Sequence, residues 1–235
     1  MPTRHYLRLL LRATLLTLPL LLLSIDGVDE PLARFVHEHG ALLKPFFAGV
    51  MWVSEALQQL LFYHGLPVGW LALLLLFLVL RLLRRPHSTV WLVTLLTLVG
   101  SEAATKLLKP YFNRPRPLEV LSGMAPDAGF WQTAGRFDAF PSGHTAWVAG
   151  LLLPLALRFP PARPWLLGFV GLVAAGRVAL EMHWLSDVVA AVYVALVLTC
   201  VFEVLTGWLR PAPPSPLSRR EGELETSSNF SPFHE

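Results

Sequence analysis

Gly176-Arg177-Val178-Ala179-Leu180-Glu181-Met182-His183-Trp184-Leu185-Ser186-Asp187 decides the fold of this chain. The stretch lies at the end of an apolar run that reads as a membrane helix, yet within twelve residues it carries Arg, Glu, His and Asp. Ionisable groups near bilayer depth are costly and tend to face a cavity or a partner. His183 and Asp187 are four apart, so on a helix they share a face. An Asp so placed can hold the His ring in one tautomer and leave its other nitrogen for chemistry. The bland alternative is a polar seam between packed helices.

Working outward, composition places the stretch in a membrane protein. Hydrophobic residues make up 54% of the 235 and charged residues only 15%. Several runs approach the roughly 20 apolar residues that a bilayer span needs. Residues 6–25 form a first span, read as retained and not as a cleaved signal peptide. Spans two to six follow at 66–83, 89–108, 144–159, 165–182 and 188–208. Residues 27–65 hold many charges and read as one or two helices at the interface or in a re-entrant position. His37 and His39 within them read as solvated. From Arg210 the chain turns rich in Pro, Ser and charge, a composition that cannot bury a core. The expected architecture is an all-α polytopic membrane helix bundle of about six transmembrane helices. Residues 1–209 form the membrane-embedded domain, with a motif-bearing core at 89–208, and 210–235 form a disordered cytoplasmic tail.

Charge sets the expected topology. The net charge is +3. The cations flank apolar runs or cluster in one loop, which favours membrane topology and an anionic ligand over nucleic acid. With the N-terminus in the cytoplasm, Arg4, Arg8, Arg12, Arg81, Arg84, Arg85, Arg158, Arg163, Arg210, Arg219 and Arg220 fall inside. Both termini are then cytoplasmic, in a plasma (inner) membrane. Lys106, Lys109, Arg114, Arg116, Arg136 and Arg177 fall at or near the periplasmic or extracytoplasmic face, an excess that an anionic ligand explains. Trp70, Trp147 and Trp184 would mark the outer interface, and Trp91, Trp165 and Trp208 the inner one. The single cysteine, Cys200, excludes an intrachain disulfide and a Cys-based metal cluster.

Three clusters meet at the outer face in this topology: Lys109 to Pro117, then Phe140-Pro141-Ser142-Gly143-His144, then Arg177 to Asp187. Phosphate chemistry uses this combination. Lys and Arg neutralise phosphate oxygens. A Ser-Gly turn opening a helix aims backbone N–H groups at an anion. One neutral His can attack phosphorus while a second protonates the leaving oxygen. Around them, Glu102 and Lys106 read as a helical ion pair, and Arg136 and Asp138 as a pair. Glu181 reads as a structural neighbour. Arg114 reads either as a contact to a second phosphate or as a solvated loop residue.

Lys109, six residues, Arg116-Pro117; Pro141-Ser142-Gly143-His144; Arg177, five residues, His183, three residues, Asp187: this order and spacing resemble the three-part signature of the type 2 phosphatidic acid phosphatase family, related to the vanadium haloperoxidases. The resemblance covers residues 109–187 by motif and most of the chain by span organisation. It implies that His183 is a nucleophile forming a phosphohistidine, that Asp187 orients it, and that His144 is the general acid and then the base. It implies phosphate binding by Lys109, Arg116, Ser142, Gly143 and Arg177, with no metal and no cofactor. The family's third motif usually opens Ser-Arg; here Gly176 precedes Arg177, which removes at most one hydroxyl donor. The expected function is hydrolysis of a lipid phosphate drawn from the bilayer: undecaprenyl diphosphate, phosphatidylglycerophosphate, phosphatidate or a lipid A phosphate. A lipid phosphotransferase using the same intermediate is the alternative. A non-enzymatic scaffold ranks below both, since no chemical residue of the signature is lost. The sequence sets no oligomeric state.

Overall fold

The computed structural model describes residues 2–61, 68–133 and 135–209. The expected tail at 210–235 lies outside them. Among the described residues the chain is helical, without strands. α1 (Pro2–Leu23) runs through a π-helical turn, Ser24–Val28, into α2 (Asp29–His39). α3 (Lys44–Leu61), α4 (Val68–Leu82), α5 (Ser88–Phe112), α6 (Pro117–Leu121), α7 (Gly143–Arg158), α8 (Arg163–Ala179) and α9 (Leu185–Leu205) follow. Three stretches are long and apolar enough to cross a membrane, Arg4–Leu42, Ser88–Leu121 and Leu185–Leu205; Val68–Leu82 is apolar but shorter. α7 and α8, at 16 and 17 residues, complete the bundle.

Of the segment read as interfacial or re-entrant, residues 27–61 are described and hold α2 and α3. α2 continues α1 at the end where the polar loops gather and touches α6, α8 and α9, while α3 lies along α8 and α4.

The helix order follows from small residues at the contacts. α5 packs on α4, α7 and α9, α7 on α8, and α1 on α9. Gly150 of α7 sits so close to α5 that an added Cβ would meet Ser101 Oγ at 3.0 Å, Leu98 Cα at 3.1 Å and the Thr97 carbonyl at 3.2 Å. Small residues of this kind let membrane helices approach closely, where dispersion and not water exclusion holds them. Leu98, Trp147, Val148, Ala149, Val173 and Ala195 form the buried centre. Polar bonds pin the periphery: Thr14 Oγ1 and Tyr193 OH share a hydrogen bond of 2.8 Å between α1 and α9. Arg158 clasps Glu203 at 2.7 and 2.6 Å between α7 and α9.

Two sequence expectations change here. Trp147 and Trp184 are only 1% exposed, so they belong to the interior and not to an interfacial belt. No ion pair closes between Glu102 and Lys106 among the described residues. Both instead line a pocket beside α7.

Alternation of the helices brings four ends together: the C-termini of α5 and α8 and the N-termini of α7 and α9. The three sequence clusters sit at these ends.

Candidate active site

Main-chain and side-chain bonds stitch the three clusters into one unit. α5 stops at Asn113, whose left-handed φ of 42° turns the chain. The Asn113 side chain accepts the Phe137 N–H at 2.7 Å, and the Arg114 carbonyl accepts the Ala139 N–H at 2.9 Å. Trp184 Nε1 donates to the Pro115 carbonyl at 2.7 Å, and the Leu118 N–H donates to the Glu181 carbonyl at 3.2 Å. The Ser142 N–H donates to the Asp187 carbonyl at 3.1 Å. Each cluster is thus bonded to another.

The cations converge. Lys109 and Arg116 both hold Asp138, at 3.1 Å and at 2.9–3.1 Å. Asp138 therefore pairs with these two and not, as expected, with Arg136. Burial pushes the Asp138 carboxyl up, but the charge and hydrogen bonds of Lys109, then of Arg116, outweigh it and hold the group below its ordinary value. The Lys109 side chain lies about 4 Å from the place where a Gly143 Cβ would stand. Arg177 is 6% exposed, and its buried Nε has no hydrogen-bond partner among the described residues. A buried guanidinium donor left this way is costly unless an acceptor reaches it, and a phosphate oxygen is such an acceptor.

Gly143 and His144 open α7, so their N–H groups have no partner within the helix. Ser142 is fully buried; its N–H is bound to the Asp187 carbonyl and its hydroxyl meets Thr145 Oγ1 at 3.0 Å. The donors this turn offers are therefore the backbone N–H groups of residues 143 and 144. His144 feels the charges of Arg177, His183, Lys109 and Arg116. Its Nε2 stands 3.7 Å from Glu55 of α3.

His183 does not lie on the helix that carries Asp187. α8 ends at Ala179, the chain reverses through Glu181 at φ 58°, and His183 sits in the turn before α9. The pair meets because Asp187, in the first turn of α9, reaches back. Asp187 Oδ2 accepts the Trp184 N–H at 2.9 Å and faces His183 Nδ1 at 3.4 Å. Nε2 is the ring nitrogen that Asp187 does not meet. Burial pushes His183 down; Asp187 opposes this, Arg177 and Lys109 add to it, and the ring ends below its ordinary 6.5, neutral at pH 7.

Arg114 has neither of its expected roles. It is 1% exposed and bridges two carboxylates, Asp187 Oδ1 at 2.8 Å and Asp29 Oδ2 at 2.8 Å. It also donates to Ser186 Oγ at 2.6 Å and to the Ala128 carbonyl at 3.1 Å, and its guanidinium stacks over Phe130 and Trp184.

Glu181 is the structural neighbour expected from the sequence, anchored by two partners. Its buried carboxylate accepts Lys44 Nζ at 2.5 Å and meets His37 Nδ1 at 2.8 Å. His37 is thus tied to the loop that carries His183. Burial raises the Glu181 carboxyl, but the Lys44 and His37 bonds and charges outweigh it and hold it below the usual carboxylate value. Asp29, Lys44 and His37 were missed in the sequence because they lie far from the motifs; Asp29 at the end of an apolar span was the one available signal.

A pocket of about 450 Å³ opens beside His144, lined by Gln58, Gln59, Glu102, Thr105, Lys106 and Trp147. Gly176 faces α3: an added Cβ would meet Phe47 at 3.3 Å and Met51 Sδ at 3.5 Å. A serine there would press on side chains of α3, which would shift by a few tenths of an ångström.

A comparison with curated proteins finds no match. The family model described as the PAP2 superfamily matches residues 88–210, just over half of the chain, and spans all three clusters. The chain belongs to the PAP2 superfamily, the type 2 phosphatidic acid phosphatases that its motifs resemble.

Proposed function

We propose that this protein is an integral membrane lipid phosphatase working through a phosphohistidine at the outer face of the membrane. Family membership makes it a phosphatase or phosphotransferase acting on phosphate esters. The observation that carries the finer reading is the meeting of a buried His183, the His144 turn and the Lys109, Arg116 and Arg177 cations at one end of a bundle with spanning-length helices.

In this mechanism Lys109, Arg116, Arg177 and the N–H groups of the α7 turn hold the phosphate oxygens. His183 Nε2 attacks phosphorus, the P–O bond to the lipid breaks, and His144, protonated once the bound phosphate offsets the cations around it, gives its proton to the departing oxygen. His144 then takes a proton from water. The water oxygen attacks the phosphohistidine, releasing inorganic phosphate and neutral His183. Catalysis comes mainly from positioning and from charge placed where charge develops. The pocket beside His144 supports a substrate whose leaving side is polar, with Lys106 available to an anionic group and Glu102 to a hydroxyl. An alcohol in that pocket in place of water would make the reaction a phosphotransfer.

The experiment is a panel of undecaprenyl diphosphate, phosphatidylglycerophosphate, phosphatidate and a lipid A phosphate, assayed with wild type and His183→Ala. At least one lipid releases phosphate with wild type and none does with the variant. Full turnover by His183→Ala on every active lipid would overturn the reading. Activity persists through exhaustive chelation; a strict divalent-ion requirement would overturn the metal-independent mechanism.

A further inference from the structure

We propose that Asp29 is a positioning residue for His183, acting through Arg114 and Asp187, so that the N-terminal segment completes a site whose reacting groups lie elsewhere in the chain. This rests on the reading of His183 as the nucleophile. Asp29 lies outside the residues matched by the family model, which begin at 88.

Asp29 opens α2 and is 2% exposed. One of its oxygens accepts Arg114 Nη2 at 2.8 Å and the Ser186 hydroxyl; the other accepts the Ser186 N–H at 2.9 Å. Ser186 is the second residue of α9, so this N–H is among the donors that the helix itself leaves without a partner. A carboxylate there caps the helix and suits its positive end. Asp29 thereby fixes the turn of α9 that carries Asp187.

The second effect is electrostatic. Arg114 is shared between two buried carboxylates, Asp29 and Asp187. Paired with Asp187 alone, the guanidinium would neutralise it and weaken its hold on His183. Shared with Asp29, it leaves a net negative charge in the network, and Asp187 keeps its pull on the imidazole. The chain of contacts from α2 to the nucleophile is continuous, and Asp29, Arg114, Asp187 and His183 are each 2% exposed or less.

The test is Asp29→Asn in the full-length protein, assayed with p-nitrophenyl phosphate and with the best lipid of the panel. The expected result is a kcat lower by about 10²-fold, the scale of a remote loss of alignment, with KM within about twofold because Asp29 touches no phosphate-binding group. The acid limb of the kcat/KM profile moves to lower pH, since Arg114 then draws fully on Asp187 and protonated His183 is less stabilised. A variant with reduced yield or melting temperature, but with wild-type kcat per folded molecule and an unmoved acid limb, would overturn the proposal and leave Asp29 a packing residue. If Asp29→Asn does not fold, Asp29→Ser keeps an oxygen for the α9 N–H and removes the charge that shares Arg114. A lower kcat at constant KM with the acid limb moved to lower pH supports the relay, and an unchanged kcat and acid limb overturn it. Turnover by His183→Ala would instead remove the parent reading.

Discussion

Arg114 Nη1 donates to Asp187 Oδ1 at 2.8 Å, with both side chains closed off from solvent. A cation of the first motif therefore holds the carboxylate that faces His183, while Arg116, two residues on, shares Asp138 with Lys109. Removing one partner of a buried pair leaves an uncompensated charge and costs about 3–5 kcal/mol. Arg114→Met is accordingly expected to lose that much stability in unfolding measurements in detergent. Arg116→Met, whose side chain is a quarter exposed, unfolds like wild type and instead shows a higher KM.

In the proposed mechanism the acid side of the pH profile follows from His183. Its ordinary value is 6.5 and burial holds it lower, so the neutral, nucleophilic ring persists as pH falls to and below 6.5. kcat/KM is expected to stay level through pH 6.5 and to fall only further into acid. The same sign applies to stability. A histidine depressed in the folded state binds fewer protons than the unfolded one, so His183 lowers stability as pH falls below 6.5. Initial rates and unfolding curves between pH 4 and 8 check both.

Asp138 lies across Lys109 and Arg116, where an oxyanion of the substrate would be bound. Half-exposed ion pairs contribute about 1 kcal/mol or less, so a phosphate competes readily with it. Asp138→Asn is expected to tighten inhibition by inorganic phosphate by up to about fivefold, with the gain shrinking at high salt. Unchanged inhibition constants would show that Asp138 does not compete for these cations.

Gly150 sets the distance between α5 and α7. A methyl group there meets backbone as well as the Ser101 hydroxyl, and overpacking of this kind costs about 1–3 kcal/mol. Gly150→Ala is expected to lower the melting temperature. At Gly176 the neighbours are side-chain atoms of Phe47 and Met51, which can shift. Gly176→Ser is expected to fold and to keep its activity.

The sequence made the motif-bearing half legible because its signals are local. Apolar length marked the helices, and the charged residues at their ends marked the clusters that the fold brings together. Its errors came from partners supplied over long range. Arg114 looked like a loop cation because Asp29, its second carboxylate, is 85 residues away. Glu181 read correctly as a structural neighbour, but its partners, His37 of α2 and Lys44 at the start of α3, come from a region that composition described only as interfacial or re-entrant. Trp147 and Trp184 looked like belt residues because tryptophan suits both interfaces and interiors. The helical spacing of His183 and Asp187 pointed to the right pair through the wrong geometry, since a left-handed residue at Glu181 puts the histidine in a turn.

The most direct measurement is rapid-quench trapping of the intermediate with a ³²P-labelled substrate, followed by peptide mapping under alkaline conditions that preserve phosphohistidine. The account predicts label on the peptide that contains His183, lost in His183→Ala. With an activated aryl phosphate, it predicts stronger labelling in His144→Ala, where the attacking water lacks its base. Turnover without labelled protein, or label on any other residue, would contradict it.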